Sequence, residues 1–409
     1  MKILHTADWH LGKRLEHFSR LEEQKEVLNE ICQIAEENEV DAVLIAGDLF
    51  DLPNPSIEAI ETFYHYLKKL ADNGKRAVIG IAGNHDSPDR IEAPDPLARE
   101  CGIILLGYPH SQVQPFQLES GLSILRSDEG FIELNLPKVT SPLRLILTPY
   151  ANEVRLRRYL GKQDQEENLR QVLEDHWKKL ADKYFDDQGV NILMTHLFVS
   201  DSAQPDEGLE DSEEKSILSL GGAQAIYPSN FPKNLQYVAL GHIHSYIKLQ
   251  NEAFPIIYSS SPLCYSVSDR QKEKNVVLIE AEAGKKVSHQ KIPLSKGRPT
   301  IQHKCHGMEE AIGWLKDHPN HLVELTLVTD HHLGAADNKR LLDSHAGILR
   351  IIPEFTNPDL LKFTSGKKID LSKSVEELFE DYFEYKLQHK PGEELKALFK
   401  EILNASTDS

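Results

Sequence analysis

With 409 residues, 40% of them hydrophobic, the chain suits a globular protein of two or three domains, because one ordinary core does not organise that length. Its net charge of −18 counts against a protein that holds nucleic acid on a basic face of its own; bound dications or a basic partner would have to supply the positive charge. No apolar stretch approaches the roughly 18–20 residues of a membrane span, and Cys32, Cys101, Cys264 and Cys305 show no CxxC spacing, which argues for a reduced cytoplasm with no disulfide framework and no zinc ribbon.

The first apolar run, Ile3-Leu4, leads directly into Asp8-Trp9-His10 and leaves no room ahead of it for a signal peptide. A helical stripe of Leu21, Leu28, Ile31, Ile34 and Ala35 follows. Ala42 to Ala46 then reads as a buried strand ending in Gly47-Asp48-Leu49-Phe50-Asp51. A second stripe, Ile57, Ile60, Phe63, Tyr64, Leu67, Leu70 and Ala71, precedes the strand Ala77 to Ala82, which ends in Gly83-Asn84-His85-Asp86. From Tyr108 to Tyr150 the pattern turns to short strands broken by Pro, Gly and Ser, the last of them the apolar run Leu143 to Leu147. A charged helical segment spans about Glu153 to Phe185, and Asn191 to Met194 then leads into Thr195-His196. The acidic stretch Asp201 to Glu214 reads as a solvated tether. Tyr237 to Leu240 leads into Gly241-His242-Ile243-His244.

After Ile279 these motifs stop. Lys291 to Arg350 reads as a smaller α/β unit, with a helix at Met308 to Leu315 and a strand at Leu322 to Val328. The expected division is 1–285, a cap at 286–356 and a helical segment at 370–404. In that last segment Val375, Leu378, Phe379, Tyr382 and Phe383 share one face, and Leu395, Leu398, Phe399, Ile402 and Leu403 another, with Pro391-Gly392 between the two helices. Such a surface docks on its own body or on a partner helix.

Each motif stands at the end of an apolar strand, which places its side chains at one edge of a sheet, where they can converge. Asp8 and His10, two apart, point the same way if the strand continues, and His242 and His244 repeat that spacing. Asp48 is a carboxylate able to bridge two ions; Asn84 offers a neutral carbonyl oxygen and His196 another nitrogen. This mixed donor set suits manganese, iron or zinc better than calcium or an all-oxygen magnesium site. Two such metals, roughly 3.5–4 Å apart, activate water and clamp the attacked and leaving oxygens of a phosphate ester. His85, beside a ligand but projecting differently, is placed to give a proton to the leaving oxygen. Any one motif occurs widely by chance; all of them in this order, each at a strand end, mark a catalytic site.

The ordered blocks resemble those of the calcineurin-like metallophosphoesterase superfamily: DxH, GDxxD, GNHD, H and GHxH. More narrowly, His5-Thr6-Ala7-Asp8-Trp9-His10-Leu11-Gly12, Ala46-Gly47-Asp48-Leu49-Phe50-Asp51, Gly83-Asn84-His85-Asp86-Ser87 and Tyr237-Val238-Ala239-Leu240-Gly241-His242-Ile243-His244 resemble the bacterial SbcD nuclease family. Tyr258 to Pro262 is similar to that family's YSGSP segment. The resemblance implies an α/β fold, a calcineurin-like β-sandwich flanked by helices, with a small α/β cap and a C-terminal helical hairpin. It implies that Asp8, His10 and His244 hold one divalent metal, that Asp48 bridges, and that Asn84, His196 and His242 complete a second site. The metal is usually manganese, and His85 is the catalytic histidine. The implied reaction is phosphodiester hydrolysis in DNA repair, recombination and replication, by a 3′-to-5′ double-strand exonuclease and single-strand or hairpin endonuclease. It would work with an SbcC-type SMC-like ATPase bound through the terminal helices, as a homodimer within a heterotetramer, in the cytoplasm and away from membranes. Ser260 stands where the family usually has Gly, and Asp269 where Glu is more common. Asp51 follows bacterial members, where archaeal and eukaryotic relatives tend to have His.

Other residues are read more plainly. His331-His332 reads as loop, and His303 and His306 flank Cys305 without a fourth ligand for zinc. Lys13 and Arg14 are phosphate contacts or a solvated loop. Arg155, Arg157 and Arg158 read as a solvated helix face, with phosphate contact as the other reading. Trp177 and Trp314 read as partial core. Two rival functions stay open. A small-molecule phosphatase or cyclic-nucleotide phosphodiesterase keeps the site and has no need of terminal helices. A non-catalytic scaffold predicts decay of a ligand set that here is complete.

Overall fold

The computed structural model describes residues 1–156, 165–200, 226–266 and 273–356, together with 377–380, 382–383, 391–392, 395–396 and 399. The chain divides into two units. The first comprises Met1–His303, His318–Leu325 and Ala346–Arg350; the second comprises Lys304–Asp317, Thr326–His345 and the chain from Ile351 onward.

In the first unit two sheets lie face to face. One orders six strands as Ser288–Pro293, Asn275–Glu280, Lys2–Thr6, Ala42–Ala46, Ala77–Ile81 and Ile103–Leu106, the last four mutually parallel. The other orders seven as Tyr246–Leu249, Ile256–Ser259, Tyr237–Leu240, Val190–Thr195, Leu143–Thr148, Phe131–Asn135 and Ser123–Asp128. Its parallel strands run from Ile256–Ser259 to Leu143–Thr148. Parallel strands covered on both faces read as continuous apolar runs, and alternate residues therefore serve two different cores. Ala42, Leu44 and Ala46 pack between the sheets with Ile79, Leu145, Ile192 and Ala239. Val43, Ile45 and Val78 turn the other way and meet Leu28, Ile31, Phe63 and Leu67 of helices Leu21–Glu37 and Ile57–Ala71. Beyond the seven-stranded sheet, Ile146, Leu193 and Val238 meet Leu169, Leu173 and Leu180 of helix Gln165–Tyr184. The result is four layers, helix–sheet–sheet–helix.

One reading changes, and two details are added. Trp177 is fully buried core: its indole N–H donates to Thr148 Oγ1 at 2.8 Å, and its ring stacks on Phe231. Polar neighbours in sequence misled because on a helix they face away from the buried stripe. Trp314 is partly buried, as read. The first sheet also continues past residue 285, since Ser288–Pro293 pairs antiparallel with Asn275–Glu280 along its whole length. Ser260 adopts φ +82°, a conformation that Gly enters without steric cost. Its hydroxyl compensates by accepting the Asn275 N–H at 2.9 Å.

In the second unit, helices Met308–Asp317 and Ala335–Ser344 lie together, bridged by Arg340 to Glu309 at 2.7 Å. The strands Thr300–His306, Leu322–Thr329 and Ile348–Phe355, each of which begins in residues counted with the first unit, form a sheet of their own in that order. Near the C-terminus Phe379 stacks on Phe399 with centroids 4.0 Å apart, and Lys396 pairs with Glu380 at 2.9 Å. Asp201 to Glu214, Arg157, Arg158, Asp269, Val375, Leu398, Ile402 and Leu403 lie outside the described residues.

Candidate metal centre

All five motifs emerge at the C-terminal ends of parallel strands, three from the six-stranded sheet and two from the seven-stranded one. That edge is where open parallel sheets leave a crevice. The side chains do not converge by strand alternation, however. The strands stop at Thr6 and Leu240, and Asp8, His10, Asp48 and His242 take φ of +54°, +43°, +48° and +100°. Non-glycine residues held in this region store strain that their surroundings must hold in place. The motif glycines allow close approach: a Cβ on Gly83 would meet the Asp48 carboxylate, and one on Gly241 would meet the Ala46 carbonyl.

The seven expected ligands come together. His10 Nε2 lies 3.0 Å from His244 Nε2 and 3.4 Å from Asp48 Oδ2. The same Asp48 oxygen lies 3.3 Å from His196 Nε2, so it stands between two groups of donors. Asn84 Oδ1 is 3.0 Å from His196 Nε2 and 3.1 Å from His242 Nδ1. Asp8 accepts the His242 N–H through Oδ1 at 2.9 Å, and its buried Oδ2 has no hydrogen-bond partner. His196 Nδ1 donates to the Ala46 carbonyl at 2.8 Å, which fixes the tautomer and turns the Nε2 lone pair into the site. Asp8, His10 and His244 form one group whose donor atoms all lie within 4.8 Å; Asp8, Asp48 and His196 form another. An orphaned carboxylate oxygen and two imidazole nitrogens facing each other both fit divalent cations.

The charges agree. Burial presses the imidazoles of His10 and His242 down to about 4 and about 3, which keeps their lone pairs free. Burial also works to lower His196, but Asp48 and Asp8 beside it lift it to about 9, so its Nε2 holds a proton that a bound cation would have to displace. Burial would raise Asp48, yet His196 and His10 hold it well below the usual carboxylate range. Burial lifts Asp8 to about 6.

His85 sits at the half-buried rim, its ring 4.8 Å from that of His10. Its backbone N–H donates to Asp48 Oδ1 at 3.0 Å and its Nδ1 meets the Asp51 carbonyl at 2.8 Å, so Nε2 is left for chemistry. Supporting residues escape a reading of the sequence. Buried Gln24 donates to the carbonyl oxygens of Trp9 and His10 and to Tyr265 Oη, and accepts the Gly12 N–H, holding the first motif in shape. The Asp86 carboxylate accepts N–H groups from Leu49, Phe50 and Gly83 at 2.8–3.0 Å, tying two motif loops together. Gln24 and Tyr265 carry no local signal; Asp86 stands inside a motif, and its place there is the signal that could have found it.

The other candidates fall elsewhere. Arg155 turns inward onto the Gly83 loop instead of lying on a solvated face. Lys13 pairs with Asp51 at 3.1 Å, and the exposed Arg14 reaches the His17 carbonyl. Exposed His331 pairs with Asp330. Among the described residues neither His331-His332 nor His303, Cys305 and His306 belong to a metal-type cluster.

The family model for calcineurin-like phosphoesterases matches residues 1–246. The SbcD subunit of the nuclease SbcCD from Bacillus subtilis is 33% identical over 98% of this chain and 97% of its own. Its namesake in Rhodobacter capsulatus is 32% identical over 75% of this chain and 72% of its own. That of Staphylococcus epidermidis is 29% identical over 72% and 70%. On the evidence of motif order, the site at the edges of two facing sheets and these relatives, the chain belongs to the calcineurin-like phosphoesterases and, within them, to the SbcD family.

Proposed function

We propose that the chain is the nuclease component of an SbcCD-type complex and hydrolyses phosphodiester bonds in DNA. The observation that carries this is the convergence of the complete donor set in a chain that the Bacillus subtilis SbcD protein matches over nearly its whole length. Asp8, His10 and His244 would hold one divalent ion and Asn84, His196 and His242 the other, with Asp48 shared. Manganese suits this mixed nitrogen and oxygen set. When bound, the ions supply Lewis acidity at the phosphate and a nucleophile from water.

The chain's own residues do the rest. Asp8 and Asp48 offset the positive charge of the pair, and the rigid motif loops hold the scissile phosphate in line. Water, giving up one proton to solvent, bonds to phosphorus through its oxygen as the bond to the leaving deoxyribose oxygen breaks. In its protonated form His85 keeps Nδ1–H on the Asp51 carbonyl and delivers the Nε2 proton to that oxygen. An SbcC-type ATPase would dock on the terminal helices, where Tyr382 and Leu395 remain exposed although Phe379 and Phe399 face each other. In this reading the protein is cytoplasmic and dimeric, and it acts as a 3′-to-5′ exonuclease and hairpin endonuclease.

The test is hydrolysis of end-labelled duplex and hairpin DNA with Mn²⁺, beside a generic phosphomonoester. DNA cleavage that disappears in His85→Asn while manganese still binds is the expected result. Monoester turnover with DNA left intact, even after the ATPase partner is added, would refute it.

A further inference from the structure

Arg155 belongs to the short helix Glu153–Leu156, which follows the Leu143–Thr148 strand of the seven-stranded sheet, whereas Asn84 and His85 follow a strand of the six-stranded sheet. Its backbone N–H is held by Asn152 Oδ1 at 2.9 Å. Its guanidinium donates to three carbonyls of one loop: Gly83 at 2.6 Å, Asn84 at 3.2 Å and Asp86 at 2.8 Å. The Tyr150 ring covers one face of the guanidinium, with 5.1 Å from Cζ to the ring centroid, and that ring in turn lies 6.4 Å from His242. A planar guanidinium with a fixed fork of donors can bind several carbonyls at once, which an ammonium cannot. The same loop is also held by the Asp86 carboxylate, which reaches Leu49 and Phe50 of the second motif. Its backbone is therefore gripped from both sheets.

We infer that Arg155 is a positioning residue that sets the Asn84-His85 loop, and with it one of the two metal sites and the proton donor. It does so through backbone carbonyls and without touching DNA. The inference rests on the ligand and acid roles proposed above for Asn84 and His85. It departs from what a surface arginine beside an active site suggests, because three of its five N–H donors, including both on Nη2, already hold carbonyl oxygens of the loop. Arg155 also differs from the ligands in being replaceable in principle by anything that organises the loop.

The experiment compares the full-length wild type with Arg155→Lys, Arg155→Met and Asn84→Ala. It measures Mn²⁺ stoichiometry and affinity by calorimetry, single-site DNA cleavage with kcat and KM separated, and unfolding midpoints in EDTA. Removing a residue that orients metal ligands typically costs about 10–100-fold in affinity or activity. We expect Arg155→Met to weaken one of two Mn²⁺ sites by about that factor, to lower kcat with KM for DNA nearly unchanged, and to recover partly at high Mn²⁺. Arg155→Lys keeps the charge but not the fork and should behave like Arg155→Met, so the comparison does not depend on how well the Met variant folds. If both variants keep two sites of wild-type affinity while Asn84→Ala loses one, the positioning role of Arg155 is overturned and the ligand assignment stands. If Asn84→Ala itself keeps two sites, the assignment falls and takes the inference with it. A rise in KM with a shallower salt dependence, and metal binding untouched, would mean phosphate contact and equally overturn the inference.

Discussion

Asp86 offers a prediction that can be worked oxygen by oxygen. Its Oδ2 accepts the Leu49 N–H at 3.0 Å and the Gly83 N–H at 2.8 Å, and its Oδ1 accepts the Phe50 N–H at 2.9 Å. The side chain is 2% exposed, so water cannot replace it. Asp86→Ala leaves three buried donors without an acceptor, at about 1–3 kcal/mol each. Part of that is regained, because burial and the neighbouring Asp48 charge already push the Asp86 carboxyl up to about 7. The net loss expected is about 3–5 kcal/mol. Asp86→Asn can place its one oxygen where Oδ2 stands and keep two of the three bonds. Its amide then faces the Phe50 N–H, for a loss of about 1–3 kcal/mol. Denaturant titration in EDTA, followed by the fluorescence of buried Trp9 and Trp177, measures both. If Asp86→Ala lies within about 1 kcal/mol of wild type, or if Asn is no better than Ala, the carboxylate does not join the two loops and the reasoning fails.

Further outcomes follow from the same geometry. Gly83→Ala would drive a Cβ into Asp48, so even a folded variant should bind Mn²⁺ poorly; wild-type affinity by calorimetry would count against the packing described. His5, His10 and His242 are held down to about 3, 4 and 3 by burial, against 6.5 for the free imidazole. The unfolded chain therefore binds more protons between those limits. Their contribution to metal-free stability is full above about pH 6.5 and is lost as pH drops toward 4, offset in part by Asp8 and Asp86, which stand raised at about 6 and about 7. His196, lifted to about 9, acts in the other direction, and its contribution is lost as pH rises from about 6.5 to about 9. An unfolding midpoint that stays flat from about pH 7 to about 4.5 in EDTA would contradict the dominance of the three lowered histidines. Mn²⁺ at roughly a hundred times its dissociation constant should stabilise the protein by about 2.7 kcal/mol per site. EDTA should reverse that gain, and no shift in the unfolding midpoint on adding Mn²⁺ would argue against a metal centre.

The candidate site was legible because metal chemistry restricts residue type and because strand ends restrict position. Asp8, His10, Asp48, Asn84, His196, His242 and His244 each follow an apolar run, and those runs are the strands of the two sheets. The route by which they converge was not legible. A two-residue spacing suggested alternation on a strand, whereas left-handed backbone at Asp8, His10 and His242 brings the donors together after the strands have ended. Such dihedrals are enforced by surroundings, and the modest preference of Asp and His for them does not single out these positions in the sequence. Trp177 was underestimated for a related reason: its burial depends on Phe231 and Thr148, distant in the chain.

Hydrophobic period and motif order by themselves determined the layered α/β class, the strand ends that bear the motifs and the residue types that gather there, since those properties are local to a few residues. Only the tertiary structure decided which groups hold the donors in place. Gln24 reaches the first motif from a helix, Arg155 reaches the third from the other sheet, and Asp86 joins two loops through backbone N–H groups that every residue other than proline possesses. Contacts to backbone atoms carry no partner signature in sequence, so positioning residues become visible only when the chain is folded around them.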